Sequence, residues 1–165
     1  MKLLLVEDDK TFGQAFKAFL IAKGHDVVWL RAVESLDPFH AVDGSGTKVT
    51  LEVSQFQLAL VDGQLKESPI ENGEQVAAQL LAQGVKVLGI SSQNGPNQEM
   101  VRLGAVAAAN KAVAFCALYS DMIAIDDIVN GGIDVAARWQ ECDTEVKANE
   151  DIRHKAEKFL FSVVD

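Results

Sequence analysis

Five side chains with chemical potential stand at the ends of short apolar runs. Glu7 and Asp8 follow Leu3 to Val6, Asp62 follows Leu58 to Val61, Ser91 follows Val85 to Ile90, and Lys111 follows Ala105 to Ala109. An acid after a strand is, taken singly, most often a helix cap or a solvated turn. Together the five describe a chemistry. Three carboxylates in one crevice repel one another, so one must hold a proton or a hard divalent cation must neutralise them. Mg²⁺ is the natural candidate, because it accepts a few carboxylates and keeps waters for a phosphoryl ligand. A lysine across the crevice would complete the charge balance and hold a phosphoryl oxygen, and a serine hydroxyl could donate to another. Such a set can accept a phosphoryl group on a carboxylate nucleophile.

That chemistry requires elements that bring the five together. Leu3 to Val6 reads as a strand buried on both faces. Thr11 to Lys23 has helical spacing, with Phe12, Phe16, Phe19 and Leu20 on one face and Gly24 as a stop. Asp26 to Leu30, Leu58 to Val61, Val85 to Ile90 and a weaker Ala105 to Ala109 supply four more strands. Gly73 to Gln83 and Pro96 to Leu103 supply helices, closed by Gly84 and Gly104. Strands alternating with helices predict a doubly wound α/β fold with a five-stranded parallel sheet. In such a sheet the carboxyl ends of the strands share one edge, and ligands bind where the strand order reverses. With the order 2-1-3-4-5 the first and third strands are adjacent, and Glu7, Asp8 and Asp62 converge.

Two regions break the alternation. Residues 31–57 are long for one crossover. Pro38 and Gly44-Ser45-Gly46 punctuate them, which predicts a short helix around Ala32 to Leu36, a loop, and an extra edge strand or hairpin near Lys48 to Val53. Beyond Lys111 the chain reads as helical, first over Phe115 to Val129 with a stop at Gly131-Gly132, then over Ile133 to Val164. Val135, Trp139, Cys142, Val146, Ile152, Ala156, Phe159 and Val163 form an apolar stripe that Asn149 interrupts. Asp143 with Lys147, and Asp151 with Lys155, are favourable pairs one turn apart. The stripe suits helices packed on the domain or a helical interface with a second copy.

The 165 residues carry a net charge of −9. Residues 121–165 hold 11 acids and five bases, so −6 of that charge lies there. This balance argues against a nucleic-acid-binding domain and against docking on an anionic membrane. An apolar content of 48% excludes a disordered chain, and no long apolar run predicts a membrane span. The short apolar start before Glu7-Asp8-Asp9 is too brief for a secretory core, so a cytoplasmic protein is expected. Cys116 and Cys142 read as buried thiols, and Trp29 and Trp139 as packing residues. His154 has no phosphotransfer motif around it and reads as a solvated helix position.

The chain resembles the receiver domain of bacterial two-component response regulators over roughly Lys2 to Lys111. The resemblance rests on Leu4-Leu5-Val6-Glu7-Asp8-Asp9, Leu58-Ala59-Leu60-Val61-Asp62, Val87-Leu88-Gly89-Ile90-Ser91-Ser92, and Gly104-Ala105 leading to Lys111. It implies a flavodoxin-like sandwich in which Asp62 is the phosphoacceptor and Glu7 and Asp8 are the acidic pair. It further implies that Asp8 is a direct Mg²⁺ ligand, that the Gln64 backbone carbonyl is another, that Ser91 senses the phosphoryl group and that Lys111 is its ion-pair partner. The implied donor is a sensor histidine kinase or a histidine phosphotransfer protein.

The chain departs from the family in its details. Ala108 stands where a Tyr or Phe usually swings inward, and Ala112 replaces the proline that usually follows the lysine. Gly73 lies farther past Asp62 than usual. The resulting expectation is a receiver-like domain over 1–130 with an insertion at about 37–56, then an acidic helical extension over 131–165. Its function would be that of a phosphorelay switch acting through protein contacts, with a possible homodimer through 133–165. It would be no enzyme apart from Mg²⁺-dependent self-phosphorylation. A receiver-like interaction module that is never phosphorylated is the alternative. An aspartate-nucleophile phosphohydrolase fits less well, because Gln64 stands where such enzymes carry a second acid.

Overall fold

Leu3, Leu4, Leu5 and Val6 are fully buried, as a continuous apolar run requires of a strand covered on both faces. They belong to β1 (Lys2–Val6), the centre of a seven-stranded sheet seen in a computed structural model that describes residues 1–131 and 133–163. Its other strands are β2 (Asp26–Leu36), β3 (Phe39–Asp43), β4 (Lys48–Leu51), β5 (Leu58–Val61), β6 (Lys86–Gly89) and β7 (Ala107–Ala108). The order is β4-β3-β2-β1-β5-β6-β7. β1 pairs in parallel with β2 and with β5, and β6 and β7 continue in parallel. The parallel part, β2-β1-β5-β6-β7, has the expected 2-1-3-4-5 order.

One expected element is corrected. Ala32 to Leu36 is not a helix: β2 runs on for 11 residues and turns back into the antiparallel strands β3 and β4. Val27, Trp29, Leu30, Ala32, Val33 and Phe39 are buried along this ribbon, and that burial outweighs the modest helix preference of a few residues. No helix therefore crosses over between β2 and β5. Val53 and Phe56, in and after a 3₁₀ turn (Val53–Gln55), cover that face with Leu65. The Ser68 hydroxyl donates to the Val33 carbonyl at 3.0 Å and accepts from its N–H at 2.8 Å, pinning the loop after β5 to β2.

The helices are α1 (Lys10–Ala22), α2 (Gly73–Ala82), α3 (Asn94–Leu103), α4 (Lys111–Tyr119), α5 (Ile125–Asn130), α6 (Val135–Ala148) and α7 (Glu150–Ser162). α2 and α3 cover one face of the sheet, α1 and α4 the other. The single helix expected over Phe115 to Val129 is broken: the chain leaves α4 at Ser120, and Asp121 takes a positive φ of 55°. Arg138 on α6 donates to the Met122 carbonyl that the break leaves free. Gly131 closes α5 in the left-handed conformation; Gly132 and Val164, the other expected ends, lie outside the described residues.

The C-terminal stripe packs within the chain, buried at Val135, Trp139, Cys142, Val146 and Ala156 and half-buried at Ile152, Phe159 and Val163. Val113 to Leu118 of α4 are all buried, as a helix that is apolar all round must be. α6 and α7 supply the cover. Trp139, Cys142, Val146 and Ala156 are buried, and Phe159 stacks on Phe115 with ring centroids 6.2 Å apart. Asn149 ends α6 and caps α7, its side chain accepting from the N–H groups of Asp151 and Ile152. The Asp143–Lys147 pair forms at 2.7 Å. A second copy would have to meet the outer faces of these helices rather than this stripe.

Candidate functional site

The site sits at the carboxyl ends of β1 and β5, where the strand order reverses. Burial of the flanking apolar runs fixes both strands, and their pairing in register sets Val6 beside Val61. The next residues, Glu7 and Asp62, must then emerge side by side. Glu7 is fully buried and Asp62 is 4% exposed. Carboxylate oxygens of Glu7, Asp8 and Asp62 lie within 4.8 Å of one another.

Lys111 answers this charge from the first turn of α4, whose N-cap is Asn110. Its Nζ donates to Asp62 Oδ2 at 2.8 Å and to Glu7 Oε2 and Oε1 at 2.9 and 3.1 Å. It also lies 5.3 Å from the centre of the Phe12 ring, a cation–π contact on the apolar side of the site. Burial, and then the Asp62 charge, push the Glu7 carboxyl up to about 8 against the opposing pull of Lys111. Burial draws the Lys111 ammonium down, but Glu7 and Asp62 outweigh it and hold it above its ordinary value.

The surrounding backbone fixes the acids. Trp29 donates from Nε1 to the Glu7 carbonyl at 2.8 Å, and the Asp9 N–H donates to Glu7 Oε1 at 3.0 Å. Asp9 itself caps α1 by accepting from the Phe12 N–H. Asp8 Oδ2 accepts from the Lys66 N–H at 2.8 Å. The loop after β5 closes on itself through a bridge between Gln64 and Asn72. The bonds flanking that bridge run from the Leu65 N–H to the Glu71 carbonyl and from the Gly73 N–H to the Gly63 carbonyl. Gln64 therefore turns its own N–H and carbonyl away from Asn72. The N–H lies 3.4 Å from Asp62 Oδ1, so the carbonyl has that same side of the chain.

Above the acids is an open cavity of about 470 Å³, with Asp8, Asp62, Gln64, Lys66, Gln93 and Lys111 among its lining residues. The Gln64 and Gln93 carboxamides bond reciprocally at 2.9 and 3.2 Å on one side of it. Ser91 is in the neighbourhood but not on the wall: it is 1% exposed, whereas Ser92 lines the cavity. The Ser91 hydroxyl accepts from the Gln93 N–H and lies 2.8 Å from where a Cβ on Gly63 would stand, so only glycine fits beside Asp62. Ala108 and Ala112 are placed as the sequence suggests, and the bond after Lys111 is trans.

Sequence reasoning brought five of six site residues to one place and missed several supports. Asp9 carries the ordinary N-cap signal, an acid just before an apolar-periodic stretch. Gln93 and Lys66 carry none, because loops place them. The chemistry of the set is clear: oxygen donors only, more carboxylate than ammonium, and one side open to water.

No protein-family model matches the sequence, and a search of curated proteins finds no match. Solved structures do match. A two-component response regulator from Clostridium difficile aligns with a TM-score of 0.56 at 14% identity, over 79% of this chain and 96% of that one. The signal receiver domain of a DNA-binding response regulator from Colwellia psychrerythraea gives 0.54 at 16% identity, over 74% and 94%. The BeF3-activated N-terminal receiver domain of RstA from Klebsiella pneumoniae gives 0.50 at 22% identity, over 67% and 86%. The chain has the receiver-domain fold, a flavodoxin-like α/β sandwich with added C-terminal helices.

Proposed function

We propose that the chain is a phosphoryl-accepting switch of a two-component phosphorelay, with Asp62 as the acceptor. The observation that carries this reading is the convergence of Glu7, Asp8 and Asp62 on one side of Lys111, at the carboxyl edge of the two central strands. An acidic triad, Glu7 and Asp62 buried and Asp8 half-buried, with one ammonium suits a hard divalent cation, because all the donors are oxygens and the negative charge exceeds the positive. Glu7, Asp8, Asp62 and the Gln64 carbonyl would hold Mg²⁺. When bound, Mg²⁺ would neutralise charge on the transferring phosphoryl oxygens.

The residues divide the task. Lys111 ties down Asp62 Oδ2, which leaves Oδ1 the freer oxygen. An Asp62 oxygen forms the new O–P bond while the donor's N–P bond breaks. The electron pair leaves on the donor's imidazole nitrogen, which takes a proton from solvent. Lys111 then balances charge on the phosphoryl group, and Ser91 is the hydroxyl that would turn toward it. The donor is a sensor histidine kinase or a histidine phosphotransfer protein, and a small acyl phosphate would serve for self-phosphorylation. Residues 1–130 carry the switch, with the hairpin around 37–56 as its insertion, and 131–165 form the acidic helical extension. Output is by protein contact. No described helix is long and apolar enough to cross a membrane, and a cytoplasmic place follows from the proposed donor.

A second reading has an observation in its favour. Ser91 is buried off the cavity wall and Ala108 has no ring to swing, which suits a module that never accepts a phosphoryl group. Mass spectrometry decides. With Mg²⁺ and acetyl phosphate the full chain should gain one acid-stable, base-labile phosphoryl group, lost in Asp62→Asn and after chelation. A chain that gains none is the interaction module. Repeated turnover of an external phosphate ester would point to a hydrolase.

A further inference from the structure

Asn97, on α3, grips the residue next to the site from both sides. Its Oδ1 accepts from the Ser91 N–H at 3.0 Å, and its Nδ2 donates to the Ser91 carbonyl at 2.9 Å. Asn97 also lines a second concavity. This is a groove of about 850 Å³ between α3, β7 and α6, with Asn97, Val101, Ala108 and Trp139 among its lining residues.

Nothing cushions the contact between these parts. A Cβ on Gly89 of β6 would come within 2.9 Å of Ala108 Cβ, 3.0 Å of Met100 Cε and 3.3 Å of Asn97 Oδ1. The end of β6, the strand β7 and the buried side of α3 are thus in direct touch, and closely packed parts pass displacement on rather than absorbing it. α6 lies on the far side of β7 and packs against it. Trp139, 3% exposed, lines the groove together with Ala108 of that strand. The Trp139 Nε1–H is buried without a partner among the described residues. A buried donor left unpaired disfavours the arrangement that leaves it so. A small movement that offers it an acceptor, from the groove's carboxamides or from water, would be favoured.

We propose that Asn97 is the positioning residue that carries a change at Ser91 to the groove, and that α6, seated by Trp139, is the element whose position answers phosphorylation of Asp62. This rests on Asp62 as phosphoacceptor. The ring that reports the switch then comes from the C-terminal extension rather than from β7. Two arrangements of α6 on β7, differing in the partner of the Trp139 N–H, are the states the phosphoryl group would bias.

The test uses the full chain grown with 5-fluorotryptophan, which gives two ¹⁹F signals from Trp29 and Trp139; Trp139→Phe assigns them. Trp29, bonded to the Glu7 carbonyl, reports the cavity itself. With Mg²⁺ and acetyl phosphate the Trp139 signal should shift or split in proportion to the adduct measured by mass. Asn97→Ala should still accept the phosphoryl group but lose the Trp139 response while keeping that of Trp29. Should Asn97→Ala fail to fold, Asn97→Asp keeps the acceptor, lacks the donor, and should show a diminished response. An adduct with Trp139 unmoved in the unsubstituted chain overturns the proposal while leaving the acceptor reading intact. A full Trp139 response in Asn97→Ala, or in Asn97→Asp should Asn97→Ala not fold, overturns the role of Asn97. Absence of any adduct overturns the acceptor reading and this proposal with it.

Discussion

The two concave surfaces of this molecule are held in opposite ways. The cavity at Asp62 is organised by charge: three acids face one lysine, and backbone N–H groups orient them. The groove beneath α6 is organised mainly by packing, with Trp139 and small residues from β7 among its walls, carboxamides at its edge and the Asp143–Lys147 pair on its α6 side. The first should respond chiefly to protons and cations. The second should respond to side-chain volume and be nearly indifferent to pH. The difference teaches where the fold concentrates each kind of energy: unsatisfied charge at the carboxyl edge of the central strands, apolar burial at the outer strand.

The largest expected effect is on the packed surface. Trp139→Ala removes a buried ring and should cost about 3–5 kcal/mol in urea unfolding, with Asp62 still labelled wherever the variant is folded. A loss under about 1 kcal/mol would mean that α6 is only loosely seated. On the charged surface, Lys111→Met leaves Glu7 and Asp62 facing each other uncompensated. The expected loss is about 3 kcal/mol, growing above about pH 8, where Glu7 ionises beside Lys111 in the unsubstituted chain but keeps its proton in the variant. A loss independent of pH would break the contrast between the two surfaces.

The third prediction concerns the unsubstituted chain. Unfolded Glu7 sheds its proton near 4.5, but folded Glu7 keeps it until about 8. Between those values the unfolded state binds fewer protons, so stability falls as pH rises, by at most about 1.4 kcal/mol per pH unit from this group. Glu7→Gln should flatten the slope. Added Mg²⁺ should stabilise the folded chain more strongly at the alkaline end, where the carboxylate is already bare. A thermal-melt series from pH 4.5 to 8.5 reads all three. The smallest effect lies at the tail. Asn149→Ala removes the cap of α7 and should cost about 1 kcal/mol without changing the labelling rate at Asp62; a changed rate would tie the two surfaces together at that turn.

Much of the site could be read from residue order because the cause is local and periodic. An apolar run long enough for one strand, followed by an acid, places that acid at the strand's carboxyl end, and parallel pairing then gathers all such ends on one edge. Glu7, Asp8, Asp62 and Lys111 meet for that reason. Ser91 shows where the rule stops. Its strand ends in the right place, but the side chain is turned under Gly63 and gripped by neighbours that no spacing specifies. The same holds for β2. Ala32 to Leu36 had a helix-compatible composition, and only the availability of β3 as a partner made a longer strand the better solution.

Apolar periodicity and the acids that interrupt it were sufficient to determine the parallel core and, once the order 2-1-3-4-5 was taken, the place where charge collects. Tertiary structure alone decided the extension of β2 through Ala32 to Leu36, the break after α4, and the packing of the C-terminal stripe against α1 and α4. The physical reason is one of range. A strand or a cap is stabilised by residues close in the chain, whereas a hairpin edge or a docked helix is chosen by surfaces that exist only once the rest has folded.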